Sequence, residues 1–250
     1  MVHITDSMRK SFLANGFVVV PDVVTGEHLR RGIELFDDEL RENPVPESYI
    51  GSHSFNPPCG RRGDAFIEFY RAVGIKSLVD QLLGPEFFSL FPPPPQLITT
   101  VPHTLDVPAH YPHIDGLDPN REAKPVPFSI QVGIWLTDFR GTGMGNLVVW
   151  PGSHLILGDH LAVHGVRAVY NYPAGSAPYP RDVPLGEPVE VRGAAGSVVF
   201  SHYLLAHTSG RAIPATPETA WRKTMYYRVV TESLEKDPDI VLKNPLHEFT

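Results

Sequence analysis

From Gln96 onward, short runs of β-branched and aromatic residues alternate with clusters of Gly, Pro and Asp, and this punctuation constrains the fold more than any other feature. The runs at 96–101, 128–138, 145–150, 189–191, 197–201 and 222–230 each read as a strand. The 26 Pro and 21 Gly fall between such runs, as turn residues do in sandwiches and barrels, so the pattern predicts many strands and long loops. Ahead of Gln96 the periodicity is helical. Residues 5–14, about 26–43 (with Thr25 as a cap) and 65–83 read as helices, with Gly84-Pro85 ending the third. Gly16 to Val20 reads as a strand between the first two, and the FPPPP run at 91–95 is a short rigid stop. Helices first and strands afterwards predict an α+β, mainly β chain, and 250 residues fit one domain over 1–250.

Two long segments, 48–64 and 158–188, carry Gly, Pro and polar residues and read as loops that cover a site. The net charge of −7 offers no electrostatic footprint for nucleic acid or an anionic membrane, so a small molecule is the expected partner. A lone Cys59 excludes an internal disulfide and suits a reducing compartment. The charged, polar N-terminus is unlike a signal peptide and no stretch approaches a membrane span, so a cytoplasmic location is expected. Oligomeric state is not legible. Neither a P-loop nor a G-x-S-x-G elbow occurs, which lowers the case for nucleotide or serine hydrolase chemistry.

The chemistry concentrates in His113-Ile114-Asp115, where an extended chain sets an imidazole and a carboxylate on one face, and in His207 at a later strand end. Two His and one carboxylate on one face of an octahedral ion leave three open positions, the arrangement of non-haem Fe(II) oxygenases. Alone the pair is weak evidence, because 12 His in this chain give about 0.7 His-x-Asp pairs by chance. The same donors would also serve a zinc hydrolase or a metal-bearing binding protein without turnover.

The ordered set HIDG, a strand ending Leu136-Thr137-Asp138, GNLVVWPGSH, GSVVFSHYLLAHTSG and then WRK resembles the phytanoyl-CoA dioxygenase family, over roughly residues 96–230. The resemblance implies a double-stranded β-helix, a cupin-like jelly roll at about 96–230, with N-terminal helices at about 1–90 buttressing one sheet. It implies Fe(II) held by His113, Asp115 and His207, with 2-oxoglutarate and O₂ as co-substrates. It also implies an arginine for the distal carboxylate of 2-oxoglutarate, for which Arg222 is the expected residue and Arg211 and Arg228 the alternatives. The family gap to that arginine is ten or eleven residues, whereas fifteen separate His207 from Arg222 here. Ser209 matches a position whose hydroxyl bonds the same carboxylate. Gln96 and Thr100 match positions lining the cofactor and substrate pocket, and Asp115 disfavours halogenation, which needs a small residue there.

Gln131 on a strand, with Arg61 and Arg62 in the first long loop, are further candidates for holding substrate. His103, His110, His154, His160, His164 and His202 are expected in capping, turn or packing roles, and PGSH at 151–154 in a structural turn. Trp135, Trp150, Tyr170 and Tyr172 suit a core as well as a pocket wall. The expected activity is oxidation of a C–H bond in a small polar metabolite or natural-product intermediate, with an acyl-CoA hydroxylase as the alternative within the family.

Overall fold

The computed structural model describes residues 2–49, 54–100, 111–213 and 221–250. His53, His103 and His110, and most of the wide turn before Arg222, lie outside them.

The first helix, α1 (Asp6–Asn15), starts where the Thr5 hydroxyl accepts the Met8 N–H and ends at Gly16, whose φ of +80° suits a residue without a side chain. Any Cβ at Gly16 would lie 2.7 Å from His154 Nδ1. β1 (Phe17–Val20) follows, then α2 (Gly26–Glu42), which buries Leu35, Phe36 and Glu39. The single helix expected over 65–83 is two, α3 (Gly63–Ala72) and α4 (Ile75–Leu82), because Gly74 takes φ +72° and breaks the path.

The strands are β2 (Gln96–Thr100), β3 (Ile130–Trp135), β4 (Leu147–Val149), β5 (Val189–Glu190), β6 (Val198–His202), β7 (His207–Ser209) and β8 (Arg222–Val229). All pairings are antiparallel: one sheet runs β1-β6-β3-β8-β2 and the other β5-β4-β7. This is the expected double-stranded β-helix with helices against its larger sheet. On β3, Ile130, Val132 and Ile134 turn outward and pack with Phe12, Leu35, Phe36, Phe66 and Leu82 in the main core. Val198 and Phe200 of β6, and Met225, Tyr227 and Val229 of β8, share that face. The period of two therefore aims Gln131, Gly133, Tyr226, Arg228 and Gln96 at the opposite face, into the roll. Trp135, Trp150 and Tyr170 are buried in core clusters.

The segment 158–188 is not a free loop. Residues 153–164 form α5 (Ser153–His164), and Leu157, Leu161, Tyr170, Tyr179 and Val183 fill a second core. The sequence hid this helix because its apolar residues lack a one-sided stripe and Gly158, which packs on Pro245, interrupts it. The segment straps the motif loop instead of covering it: Tyr170 Oη accepts the Asp118 N–H, Arg167 donates to the Arg121 and Glu122 carbonyls, and Tyr111 Oη donates to Ser176 O. The segment 48–64 is also tied down where it is described, since Phe55 exchanges both backbone hydrogen bonds with Thr99. Two short helices close the chain, α6 (Glu232–Lys236) and α7 (Pro238–Lys243). Among the described residues no helix is long and apolar enough to cross a membrane.

His154 and His202 pack with tilted rings, centroids 5.1 Å apart, beneath α1 and the C-terminal residues. The His154 Nε2–H donates to Leu13 O and the His202 Nε2–H to Pro245 O, while His202 Nδ1 accepts the Leu204 N–H. Burial pushes His154 down to about 4 and His202 to about 3. The unfolded chain therefore binds more protons below pH 6.5, so this stability is complete above that pH and is lost as pH falls. At pH 5 each imidazole costs roughly 2 kcal/mol. Urea denaturation at pH 7.5 and 5.0 should show the loss, and His154→Gln should shrink it by about half; an equal loss in that variant would clear His154 of the effect.

Candidate metal centre

Asp115, His113 and His207 meet at the mouth of the roll because one backbone bridge registers two of them. His113 and His207 exchange both N–H···O bonds at 3.0 Å, so they stand directly opposite, with ring centroids 4.4 Å apart on one face. Asp115, two residues on from His113, returns to the same side. Its Oδ1 lies 3.9 Å from both Nε2 atoms, and the three ligand atoms fall within 4.8 Å of one another. Each Nδ1 faces a carbonyl, His113 to Tyr111 O at 3.3 Å and His207 to Leu205 O at 3.0 Å. A carbonyl only accepts, so each Nδ1 carries the proton and each Nε2 offers its lone pair to a metal.

Enclosure in the protein pushes His113 down to about 4, helped by His207 against the pull of Asp115. Burial alone would raise Asp115, but the charges of His207, Arg228 and His113, with an Arg228 hydrogen bond, hold it below the usual carboxylate range. At neutral pH the donors are thus an uncharged His113 imidazole and a carboxylate, the forms that bind a divalent cation. Asp115 Oδ2 is held by Gln131 Nε2 at 2.8 Å and Arg228 Nη2 at 3.0 Å, leaving Oδ1 toward the imidazoles. Gln131 therefore touches a candidate ligand as well as lining the cavity, and the Asp115 contact of Arg228 was not legible in the sequence.

The cavity is lined by the triad with Gln96, Ile98, Gln131, Leu147, Thr208, Ser209, Arg222 and Tyr226, and holds about 370 Å³ of open volume. At its far side Arg222 is 2% exposed and donates to Gly145 O at 2.6 Å, Tyr226 Oη at 2.7 Å and Ser209 Oγ at 3.2 Å. No carboxylate pairs with it among the described residues. A buried cation held only by neutral acceptors is costly unless an anion joins it. Thr100 stands opposite Arg222 in register with its hydroxyl buried and unpartnered, though it does not line the cavity.

Arg61 and Arg62 do not line it either. Arg62 pairs with Glu39, Glu42 and Asp38 on α2, away from the candidate metal ligands. The Arg211 carbonyl accepts the Gly145 N–H just beyond β7. Tyr226, whose hydroxyl orients Arg222, carried no sequence signal beyond its place on β8.

Gly133 makes room for that tyrosine. A Cβ there would lie 2.6 Å from Tyr226 Cε1 and 2.8 Å from Val199 Cγ1. Gly133→Ala should cost about 1–3 kcal/mol by overpacking and loosen the Arg222 anchor. Thermal melts with and without 2-oxoglutarate would detect both effects, and unchanged melts would mean that the ring yields freely.

The model of the family described as phytanoyl-CoA dioxygenase matches residues 12–213. The chain belongs to the phytanoyl-CoA dioxygenase family. Arg222 lies beyond the matched span. Comparison with curated proteins gives no match. Among solved structures, the chain is similar to SnoK, the non-heme alpha ketoglutarate dependent carbocyclase of nogalamycin biosynthesis, with 16% identity, TM-score 0.58, and coverage of 90% of this chain and 83% of that one. The non-heme monooxygenase ThoJ is similar at 20% identity and TM-score 0.56, covering 90% and 77%. The epimerase SnoN, solved with Fe3+, alpha ketoglutarate and nogalamycin RO, is similar at 18% identity and TM-score 0.55, covering 89% and 82%. At these identities the likeness concerns the fold. For this phytanoyl-CoA dioxygenase family member, Fe(II), 2-oxoglutarate and O₂ are the cofactor set, and the His-Asp-His donors and the buried Arg222, which has no carboxylate partner among the described residues, fit iron and a dicarboxylate.

Proposed function

We propose that this protein is an Fe(II)- and 2-oxoglutarate-dependent dioxygenase that oxidises a C–H bond of a small polar metabolite or natural-product intermediate, with hydroxylation as the expected outcome. The observation that carries the reading is Arg222, a buried cation with no carboxylate partner among the described residues, lining the same cavity as three converging metal donors. In this reading His113, Asp115 and His207 hold the iron, and Arg222, Ser209 and Tyr226 receive the distal carboxylate of 2-oxoglutarate. Arg222 suits that role better than Arg228 by reach. Ser209 is two residues past the ligand His207 on the same strand face and touches Arg222, whereas Arg228 touches the ligand Asp115 itself. When bound, iron and 2-oxoglutarate supply O₂ activation coupled to decarboxylation into succinate and CO₂.

The chain's own part is positioning and exclusion of water. Gln131 and Arg228 keep Asp115 in one rotamer, and the walls Ile98 and Leu147 limit solvent beside the ligands. The neighbours called carbocyclase and epimerase support a wider choice of outcome on this scaffold, so ring closure and epimerisation stand beside hydroxylation.

The test is succinate release from 2-oxoglutarate with Fe(II) and O₂ over a substrate panel, with products identified by mass spectrometry. Turnover should require both O₂ and 2-oxoglutarate. Activity that survives without them would make the site hydrolytic, and failure to bind 2-oxoglutarate would leave a metal-binding jelly roll.

A further inference from the structure

Next to the metal cavity lies a second cleft, lined by Pro93, Pro94, Pro95, Gln96, Tyr226 and Arg228, with about 690 Å³ of open volume. Gln96 and Tyr226 line both, so the two spaces adjoin. The candidate metal ligands and Arg222 line the smaller one. The walls of the larger are of two kinds. One is apolar and stiff: each proline ring fixes its φ near −65°, the Cys59 thiol donates to Pro95 O at 2.7 Å, and Gly63 lies close beneath Pro94.

The other wall is cationic. Arg228 stacks over the Phe128 ring at 5.5 Å, faces Gln96 Oε1 at 3.5 Å, and gives one nitrogen to Asp115 at 3.0 Å. Its Nε is buried without a hydrogen-bond partner, and 42% of the side chain remains exposed. Asp115 is the one acid among the described residues lining either cleft. Loading changes the balance there. Iron(II), Arg222 and Arg228 bring four positive charges, while Asp115 and 2-oxoglutarate bring three negative ones. With Asp115 serving the iron and the distal carboxylate serving Arg222, the excess positive charge resides at Arg228, beside the second cleft.

We infer that this second cleft seats the substrate and that Arg228 determines specificity there, receiving the carboxylate of a small acidic substrate whose apolar body lies along Pro93 to Pro95. The inference rests on the proposed function and deepens it by naming the substrate class. A guanidinium presents hydrogen-bond donors in a planar fork that matches a carboxylate, and stacking on Phe128 holds the fork in place. An uncharged amide of equal shape would leave the excess charge unmet.

The test uses benzoate and benzamide, which share a shape and differ in charge. Each is titrated by ligand-observed NMR into protein loaded with Zn(II), which is redox-inert, and saturating 2-oxoglutarate. Benzoate should bind about tenfold more tightly than benzamide, without displacing 2-oxoglutarate, and Arg228→Gln should abolish the preference. Because Arg228 also touches Asp115, zinc content is measured in the same samples. Gln96→Glu serves as a second variant, setting a carboxylate beside Arg228 while Arg228 and Asp115 stay intact; it too should abolish the preference. Equal affinity for the two probes in the wild-type protein, or a preference retained in both variants, overturns the inference and leaves Arg228 as a positioning residue for Asp115. Displacement of 2-oxoglutarate by benzoate would place the anion at Arg222 and overturn it as well. If 2-oxoglutarate itself fails to bind the wild-type protein, the proposed function falls and this inference with it; if 2-oxoglutarate binds and no preference appears, the inference falls alone.

Discussion

Asp115→Ala and His207→Ala should each bind Fe(II) at least about 100-fold more weakly than the wild-type protein, since losing a mere partner of a ligand already costs ~10–100-fold. The reason is geometric as well as chemical. Oδ1 of Asp115 stands 3.9 Å from each Nε2, so removing any corner leaves two donors that cannot hold three positions of an octahedron. Asp115→Ala has a second consequence: Arg228 and Gln131 lose their shared acceptor, and a cation is left beside the vacated ligand position. Iron titration under anaerobic conditions, followed by succinate assay, would check both variants. Wild-type affinity in either would remove that residue from the ligand set.

Arg222→Ala should separate co-substrate from metal. Breaking a buried charge pair costs about 3–5 kcal/mol, so 2-oxoglutarate should bind roughly 150- to 5,000-fold more weakly while Fe(II) affinity changes by less than about threefold. Arg222→Lys should recover little, because an ammonium lacks the planar fork that reaches Gly145 O, Ser209 Oγ and Tyr226 Oη together. Calorimetric titration of 2-oxoglutarate into metal-loaded protein reads the effect. The same selective loss in Arg228→Ala, with Arg222→Ala unaffected, would move the anchor to Arg228.

The candidate site residues His113, Asp115, His207 and Arg222, which line one cavity, were all singled out in the sequence, but for different reasons. The spacing of His113 and Asp115 is local, and an extended chain turns both side chains to one face whatever surrounds it. Arg222 stood out only through the family resemblance, because the gap of fifteen residues is unlike the family's and no local pattern separates it from Arg211. Strand positions were legible because β-branched runs bounded by Gly and Pro depend on nearest neighbours; the six strands expected from Gln96 onward are all present, some shorter by a few residues.

What sequence alone determined is therefore what is local or periodic: the strand runs, the helical N-terminal part, the His-x-Asp pair and, through ordered motifs, the family and its jelly roll. What only the tertiary structure decided depends on partners far apart in the chain. Arg62 is drawn to Glu39 and Glu42, 23 and 20 residues earlier, a pairing that no local pattern signals. α5 buries one face through Leu157 and Leu161, but Ile156 and Val163 stand exposed on the other, so its apolar residues form no stripe for a periodicity reading to find. The registers that set Gln131 against Arg228 and His113 against His207 join residues about a hundred positions apart, and nothing within either strand specifies its partner. Long-range pairing is settled by which faces bury together, and that is a property of the whole packed chain.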